Sequence, residues 1–207
     1  MEKREQILTK KGYDFFEVSS AFQKSIRRCL EDDAMYWATE LIESNFERYL
    51  WKRMFVMVSE DVGLANSDLP SQFHSLHYSY EFLKKAKAKE YKLPIYHCVL
   101  LLVRSSKSRL VDWAHGRYQD GYYFRENDKK IPDYALDMHT RKGKSFGRGI
   151  DNFFSDGCKL GNKADIDGEL EYHDWCKDRW TDREWCKDVK QKRIEMENRK
   201  NSQQSFL

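Results

Sequence analysis

Adjacent carboxylates at Glu60 and Asp61 are the first residues in this chain whose chemistry stands out. Such a pair can hold a cation or divide acid and base duties. It can equally accept amides from the turn that follows, or pair with a basic neighbour. Ser59 beside them has no local histidine or base to make it a nucleophile, so the structural reading is preferred. Asp133, Asp137 and His139 form a second constellation of types that suit a divalent cation, as in a metal-dependent hydrolase. No further histidine or aspartate stands one helical turn away, and an arm fixed by its own hydrogen bonds is the preferred reading. His173, Cys176 and Cys186 supply three zinc-type ligands, whereas a closed structural site takes four and no Cys-x-x-Cys pair is present. Gly143-Lys-Ser145 looks like the end of a phosphate loop, but Met138 stands where that loop needs a glycine to turn its amides toward phosphate. The expectation is a chain without catalytic residues, metal, cofactor or ATP site.

The basic stretch from 129 to 148 is more informative. Lys129, Lys130, Arg141, Lys142, Lys144 and Arg148 face only Asp133 and Asp137 as ionised acids. Glycines at 143, 147 and 149 let a backbone approach closely. Phe146 offers a ring to a nucleic-acid base. The stretch reads as an arm that meets a single strand, or as a solvated arm that meets an acidic patch of a partner. Lys84, Lys85, Lys87 and Lys89 suit the negative end of a helix and read as an exposed terminus.

Helical periodicity dominates the segments that would position these groups. Ser20-Ala-Phe-Gln23 fits a capping box opening a helix that carries Phe22, Ile26 and Leu30. Asp32 or Asp33 suits the cap of a second helix, where Ala34, Trp37, Ala38, Leu41 and Ile42 share one face. Trp51, Met54, Phe55 and Val58 mark a third, stopping near Gly63. A fourth runs from about Leu69 to Glu90 with Phe73, Leu76, Tyr80 and Leu83 as its stripe; a fifth runs from Pro94 to Val103, and a sixth from Arg109 to Tyr118. Trp37, Trp51, Phe55 and Tyr80 are expected in the core. Ile131 to Gly149 loses periodicity and reads as an arm or long loop. A short helix is expected from Asp151, then a polar break from Gly161 to Gly168. Glu169 to Lys200 reads as one solvated helix or a tail. Trp175-Cys-Lys-Asp178 recurs as Trp185-Cys-Lys-Asp188, and a ten-residue spacing turns the copies to different sides of one helix. Trp175, Trp180 and Trp185 are interface candidates because large aromatics anchor contacts.

The expected fold class is all-α, a multi-helix module with an extended basic arm and a charged C-terminal helix or tail. The expected divisions are a polar segment at 1–12, the helical module at 13–126, the arm at 127–160 and the charged extension at 161–207. Ten glycines and three prolines permit long uninterrupted helices. Hydrophobic residues make up 40% of the chain, enough for a core, and the net charge of +3 does not by itself argue for nucleic acid. Cys98 to Val103 is far shorter than the ~20 apolar residues of a membrane span. The first residues lack the apolar stretch of a signal peptide, and five cysteines fit a reducing compartment. A cytoplasmic or nucleoid-associated protein is expected.

Four stretches carry a family resemblance. Tyr13-Asp-Phe-Phe-Glu-Val-Ser-Ser-Ala-Phe-Gln-Lys-Ser-Ile-Arg27 resembles the Tyr-Asp…Ser-Ala-Phe-x-Lys-Ser-(Met/Ile)-Arg helix that opens the C-terminal module of RarA/MgsA-type replication-associated AAA+ ATPases. Asp33-Ala-Met-Tyr-Trp37 resembles its Asp-Ala-Ala-Leu-Tyr-Trp. Ser59-Glu-Asp-Val-Gly-Leu-Ala65 resembles Ser-Glu-Asp-Ile-Gly-(Leu/Asn)-Ala, and Ser105-Ser-Lys-Ser108 stands where the family tends to have Ala-Pro-Lys-Ser. The matching positions, with structural roles implied, are Lys24, Ser25, Arg27, Asp33, Tyr36, Trp37, Ser59, Glu60, Asp61, Gly63, Lys107 and Ser108. The resemblance implies a helical module of the clamp-loader C-terminal type that assembles into tetramers. It further implies association with stalled replication forks, single-stranded DNA, a single-strand-binding protein and an AAA+ ATPase acting alongside. Ile131 to Thr140 matches the family's Pro-Leu-His-Leu-Arg segment poorly, and the charged extension has no counterpart in the resemblance.

Overall fold

The computed structural model describes residues 7–124 and 129–204, with side chains to 198. Residues 1–6 of the expected polar segment and the expected boundary at 126/127 lie outside them. The chain divides into two compact units, residues 1–126 and 127–207. Both are helical; among the described residues the only β pairing is an isolated antiparallel bridge between Leu8 and Asp14.

In the first unit, α1 (Phe15–Arg27) starts nearly two turns earlier than the capping-box reading predicts. Asp14 is its cap, accepting from the amides of Phe16 and Glu17 at 2.8 and 3.1 Å, and Ser20 lies mid-helix. The stripe that matters is therefore Phe15, Val18, Phe22 and Ile26, all buried, while Leu30 is exposed. α2 (Glu31–Glu43) has Leu30 at its cap; Asp32 and Asp33 instead join Glu31 in the first turn, where they complement the positive helix end. α3 (Glu47–Met57) widens into a π turn at Val58–Val62 and stops at Gly63, whose φ of +51° breaks the helical path. α4 (Leu69–Lys85) and α5 (Leu93–Arg104) each carry a proline in the first turn. α6 (Leu110–Gln119) buries none of its residues and runs into a 3₁₀ turn at Asp120–Phe124.

Residues other than glycine end three helices of the first unit. Cys29, Asn45 and Lys87 adopt the left-handed conformation at φ of +57°, +64° and +57° and end α1, α2 and α4. Their following amides return to earlier carbonyls, as Leu30 N to Ser25 O and Phe46 N to Leu41 O, both at 2.9 Å, in place of the glycine that most often fills this position. α1 packs on α2 and α5, α5 also takes α2, α3 and α4, and α6 lies against the Val58–Val62 turn. Leu41, Leu50, Met54, Phe73, Ile95 and Leu102 are fully buried between them.

Two core expectations need correction. Trp37 is half-buried, its ring edge-on to Tyr13 and Tyr36 with centroids 5.5 and 4.9 Å away. Phe55 is 38% exposed, its ring edge-on to Phe73 and His77 of α4 at the rim of the core. Trp51 and Tyr80 are buried as expected.

The second unit replaces the expected loop with short helical pieces: a 3₁₀ turn at Asp133–Ala135, α7 (Arg141–Ser145), and α8 (Ile150–Asn152) continuing as a π turn through Gly157. The charged extension forms two helices, α9 (Glu169–Thr181) and α10 (Arg183–Gln204), and not one. Asp182 causes the break: its carboxylate accepts from the amides of Glu184 and Trp185 at 2.9 and 3.1 Å. The break also brings the two copies of the Trp-Cys-Lys-Asp repeat together, with Trp175 and Trp185 edge-on at 5.7 Å.

Candidate functional site

Three of the four motifs converge on one ionic network in the first unit. Arg27, in the last turn of α1, sends Nε to Asp61 and a terminal nitrogen to Glu60. Asp61 is almost fully buried on the π turn. The fork of one guanidinium thus spans the two consecutive carboxylates of that turn. Gln23, one turn before Arg27, donates to Glu60 at 3.1 Å and to Asp61 at 3.4 Å, and receives Arg53 from α3. Arg109, next to the fourth motif, reaches Glu60 at 3.3 Å and Asp112, and lies over the Trp113 ring at 4.6 Å. The carboxylates are thus engaged by guanidinium groups and an amide, which makes them structural ties.

The fourth motif closes the same corner. Ser108 donates its amide to the Asp61 carbonyl at 3.0 Å, and its hydroxyl accepts from the Leu110 amide. Lys107 turns back on α5 and donates to the carbonyls of Leu102, Val103 and Ser105, capping the negative helix end. Gly63 is close to Val111, whose methyl would be 3.1 Å from any added β-carbon. The remaining motif residues do lesser work. Ser25 bonds back to the Ala21 carbonyl at 2.8 Å, and Lys24 meets the Ser20 hydroxyl at 2.8 Å. Tyr36 meets the Tyr13 hydroxyl at 3.2 Å, while Ser59 and Asp33 are exposed. Gln23, Arg53, Arg109 and Asp112 were not predicted as members; their charges complement the network, but no sequence spacing links them to it.

A second buried carboxylate also escaped the sequence reading. Glu47 accepts from Lys84 at 2.7 Å and from the hydroxyls of Tyr80 and Tyr91. Burial alone would push the Glu47 carboxyl up, but the three donors outweigh it and hold it below the usual range. Burial, then the bond to Glu47, pushes Tyr80 up to about 12. Lys84 is raised by its bonds to Glu47 and Tyr80. Lys84 is therefore a tie between α3 and α4, and not merely part of a solvated helix end. The available signal was Glu47 lying on the same face of α3 as Leu50, Trp51 and Met54.

The basic arm of the second unit changes character. Arg148 donates to the carbonyls of Asp133 and Leu136 at 2.7 and 2.6 Å and to the Asp133 carboxylate at 2.6 Å, so it is a brace and not a free cation. Gly143 is buried in α7, its amide held by the Thr140 hydroxyl at 2.9 Å, and a β-carbon there would stand 1.9 Å from the Asp137 carbonyl oxygen. Its close approach serves packing, and Gly143-Lys-Ser145 forms no phosphate cradle. Lys129, Lys130, Arg141, Lys142 and Lys144 stay exposed without ion pairs among the described residues, and Phe146 is 54% exposed with Lys142 and Arg148 over its ring.

The three residues of the metal-dependent hydrolase alternative are not brought together as a site. Asp133 is paired with Arg148, Asp137 accepts from the His139 amide at 2.9 Å, and His139 faces the Phe153 ring. Among the described residues no three histidine, cysteine or carboxylate side chains gather as a metal site, and His173, Cys176 and Cys186 are no exception. Nor is any described helix long and apolar enough to cross a membrane.

Comparison with known proteins agrees with the family resemblance. The chain is 30% identical over 155 residues, 73% of its length, to the ATPase WRNIP1 of Dictyostelium discoideum, and 27% identical over 168 residues to the replication-associated recombination protein A of Bacillus subtilis, again 73% of its length. A similar protein of the same description from Haemophilus influenzae is 26% identical over 140 residues. The chain spans only 17%, 37% and 29% of the length of these relatives. The family model described as the MgsA AAA+ ATPase C terminal matches residues 30–194, well over half of the chain, and the chain belongs to that family.

Proposed function

We propose that this chain is a non-catalytic, self-associating module that serves replication-associated recombination as a scaffold, with a homotetramer as its working form. The observation that carries this reading is the use made of the motif residues. Arg27, Glu60, Asp61 and Ser108 are engaged with one another and with Arg109 inside the first unit. A module built this way acts through its surface. The names of the relatives supply the process, and a separate AAA+ ATPase and a single-strand-binding protein are the partners consistent with them. The test is the mass of the purified chain by light scattering over a concentration series. A tetramer is expected, and a monomer throughout would remove the reading.

A second reading, sequence-independent contact with single-stranded nucleic acid, is supported by the five exposed, unpaired cations of the arm beside the exposed Phe146 ring. Such contact combines phosphate neutralisation with ring stacking. It is compatible with assembly and is tested separately below.

A further inference from the structure

Between α3 and α4 lies an open cleft of about 450 Å³, lined by Arg48, Trp51, Lys52, Phe55, His77 and Glu81 among others. Arg48 and Lys52 stand one turn apart on α3, both exposed, and neither has an ion-pair or hydrogen-bond partner among the described residues. Trp51 is 4% exposed and its indole Nε1 is buried without an acceptor. Phe55 adds exposed apolar surface at the rim. The cleft thus asks for an acidic segment with apolar side chains. A stacked nucleic-acid strand suits it less well, because Trp51 and Tyr80 are buried and present no free ring face for a base.

The second unit of the same chain carries a segment of that chemistry. Residues 165–171 read Asp-Ile-Asp-Gly-Glu-Leu-Glu, with carboxylates alternating with apolar positions or glycine. Glu169 is bound by Lys163 at 3.2 Å, but Asp165, Asp167 and Glu171 are exposed without partners, and Ile166 and Leu170 are 61% and 68% exposed. We infer that the α3–α4 cleft of one copy receives the acidic segment 165–171 of a second copy. Carboxylates meet Arg48 and Lys52, and Ile166 or Leu170 covers Phe55. The contact joins two different surfaces, so it propagates head to tail and closes into a ring when the rotation allows. The inference rests on the self-association proposed above and names its interface.

Charge exchange tests it on the full chain. One variant carries Arg48→Glu and Lys52→Glu; the other carries Asp165→Lys, Asp167→Lys and Glu171→Lys. All five positions are exposed, and circular dichroism checks that each variant keeps its helices. By light scattering each variant alone should fall to a smaller mass, with the assembly dissociation constant raised at least tenfold. An equimolar mixture should regain the unmodified mass, because each reversed surface then meets its complement on the other variant. As a milder check, Arg48→Gln with Lys52→Gln should weaken assembly without repulsion. An unmodified chain that is a monomer defeats the self-association itself. An unmodified oligomer whose mass is unchanged in either variant, or not regained in the mixture, defeats this interface and leaves self-association standing.

Discussion

Arg27 and Asp61 are 34 positions apart in the chain, yet the guanidinium of one is bound to the buried carboxylate of the other. The bond fixes the end of α1 against the π turn that follows α3. Removing one partner leaves the other charge buried and unpaired, which typically costs about 3–5 kcal/mol. Asp61 is deeply buried while Arg27 retains some solvent contact, so the two substitutions should differ. Arg27→Ala, which strands the buried carboxylate, is expected to cost about 3 kcal/mol in urea unfolding. Asp61→Asn, which keeps the shape and removes the charge, should cost less. Equal and negligible effects would show that the network is ornamental to stability.

Trp37 allows a graded comparison. Its half-buried ring packs edge-on against Tyr13 and Tyr36, whereas Trp51 is buried among Phe55, His77 and Tyr80. A fully buried ring replaced by alanine costs roughly 3–5 kcal/mol. Trp51→Ala should fall within that range, and Trp37→Ala below it, near 2 kcal/mol. The reverse order in thermal or denaturant midpoints would overturn the burial assignments.

These residues also show how far the sequence could be read. The apolar stripes of α2 to α5 follow a period that depends only on local spacing, so the helices and most of the core were legible. Trp37 was misplaced because a stripe gives the direction a side chain faces, and not how much of the opposite surface covers it. The α1 boundary was misread because Ser20-Ala-Phe-Gln23 and Asp14 are both acceptable caps, and only the packing of Phe15 on Phe46 and Tyr49 selects the earlier start. The charged network was half legible: Glu60 and Asp61 were visible as a pair, but their partners at 23, 27 and 109 come from α1 and the segment before α6, Arg53 of α3 joins through Gln23, and tertiary pairing leaves no periodic mark. The arm was read as irregular because its helical pieces are too short to show a period.

Glu47 should give the stability curve an acid limb. Its folded carboxyl is held below the usual range, so its contribution is complete above that range and is lost as pH falls through the folded value. Lys84 is raised, so its contribution is complete below the usual lysine value and is lost as pH rises through the folded one. Glu47→Gln should therefore cost about 1–3 kcal/mol at pH 7, as expected for a hydrogen-bonded charge. The gap between variant and unmodified protein should narrow as pH falls below 4. A constant gap from pH 7 to pH 3 would mean that Glu47 is held by packing and not as a carboxylate.

Gly143 and Gly149 make a matched pair in the second unit. A β-carbon at Gly143 collides with the Asp137 backbone, while at Gly149 it meets nothing within 4 Å. Gly143→Ala should force α7 away from the 136–137 backbone, at about 1–3 kcal/mol for overpacking. Limited proteolysis should then cut the 129–157 region faster, with Gly149→Ala unchanged from the parent. Equal cutting of both variants would remove the packing role of Gly143.

The last prediction separates the arm from assembly. Arg148 is engaged by Asp133 and Leu136, so the cations able to neutralise phosphates are Lys129, Lys130, Arg141, Lys142 and Lys144. If all five contact a single strand, replacing them with alanine should make the log–log salt slope of binding shallower by about 0.7 for each, or roughly 3.5. Arg148→Ala alone should act differently: it removes the brace of the 133–136 turn, so it should speed proteolysis there while contributing no phosphate contact of its own. The five-fold variant should keep the mass of the unmodified protein, because the proposed interface uses residues 48, 52 and 165–171 and none of the arm. Fluorescence anisotropy with labelled oligothymidine across a salt series, beside light scattering, reads both quantities. Unchanged salt slopes would leave the arm as a partner-facing or solvated feature, and a loss of mass in the five-fold variant would place the arm in the assembly interface.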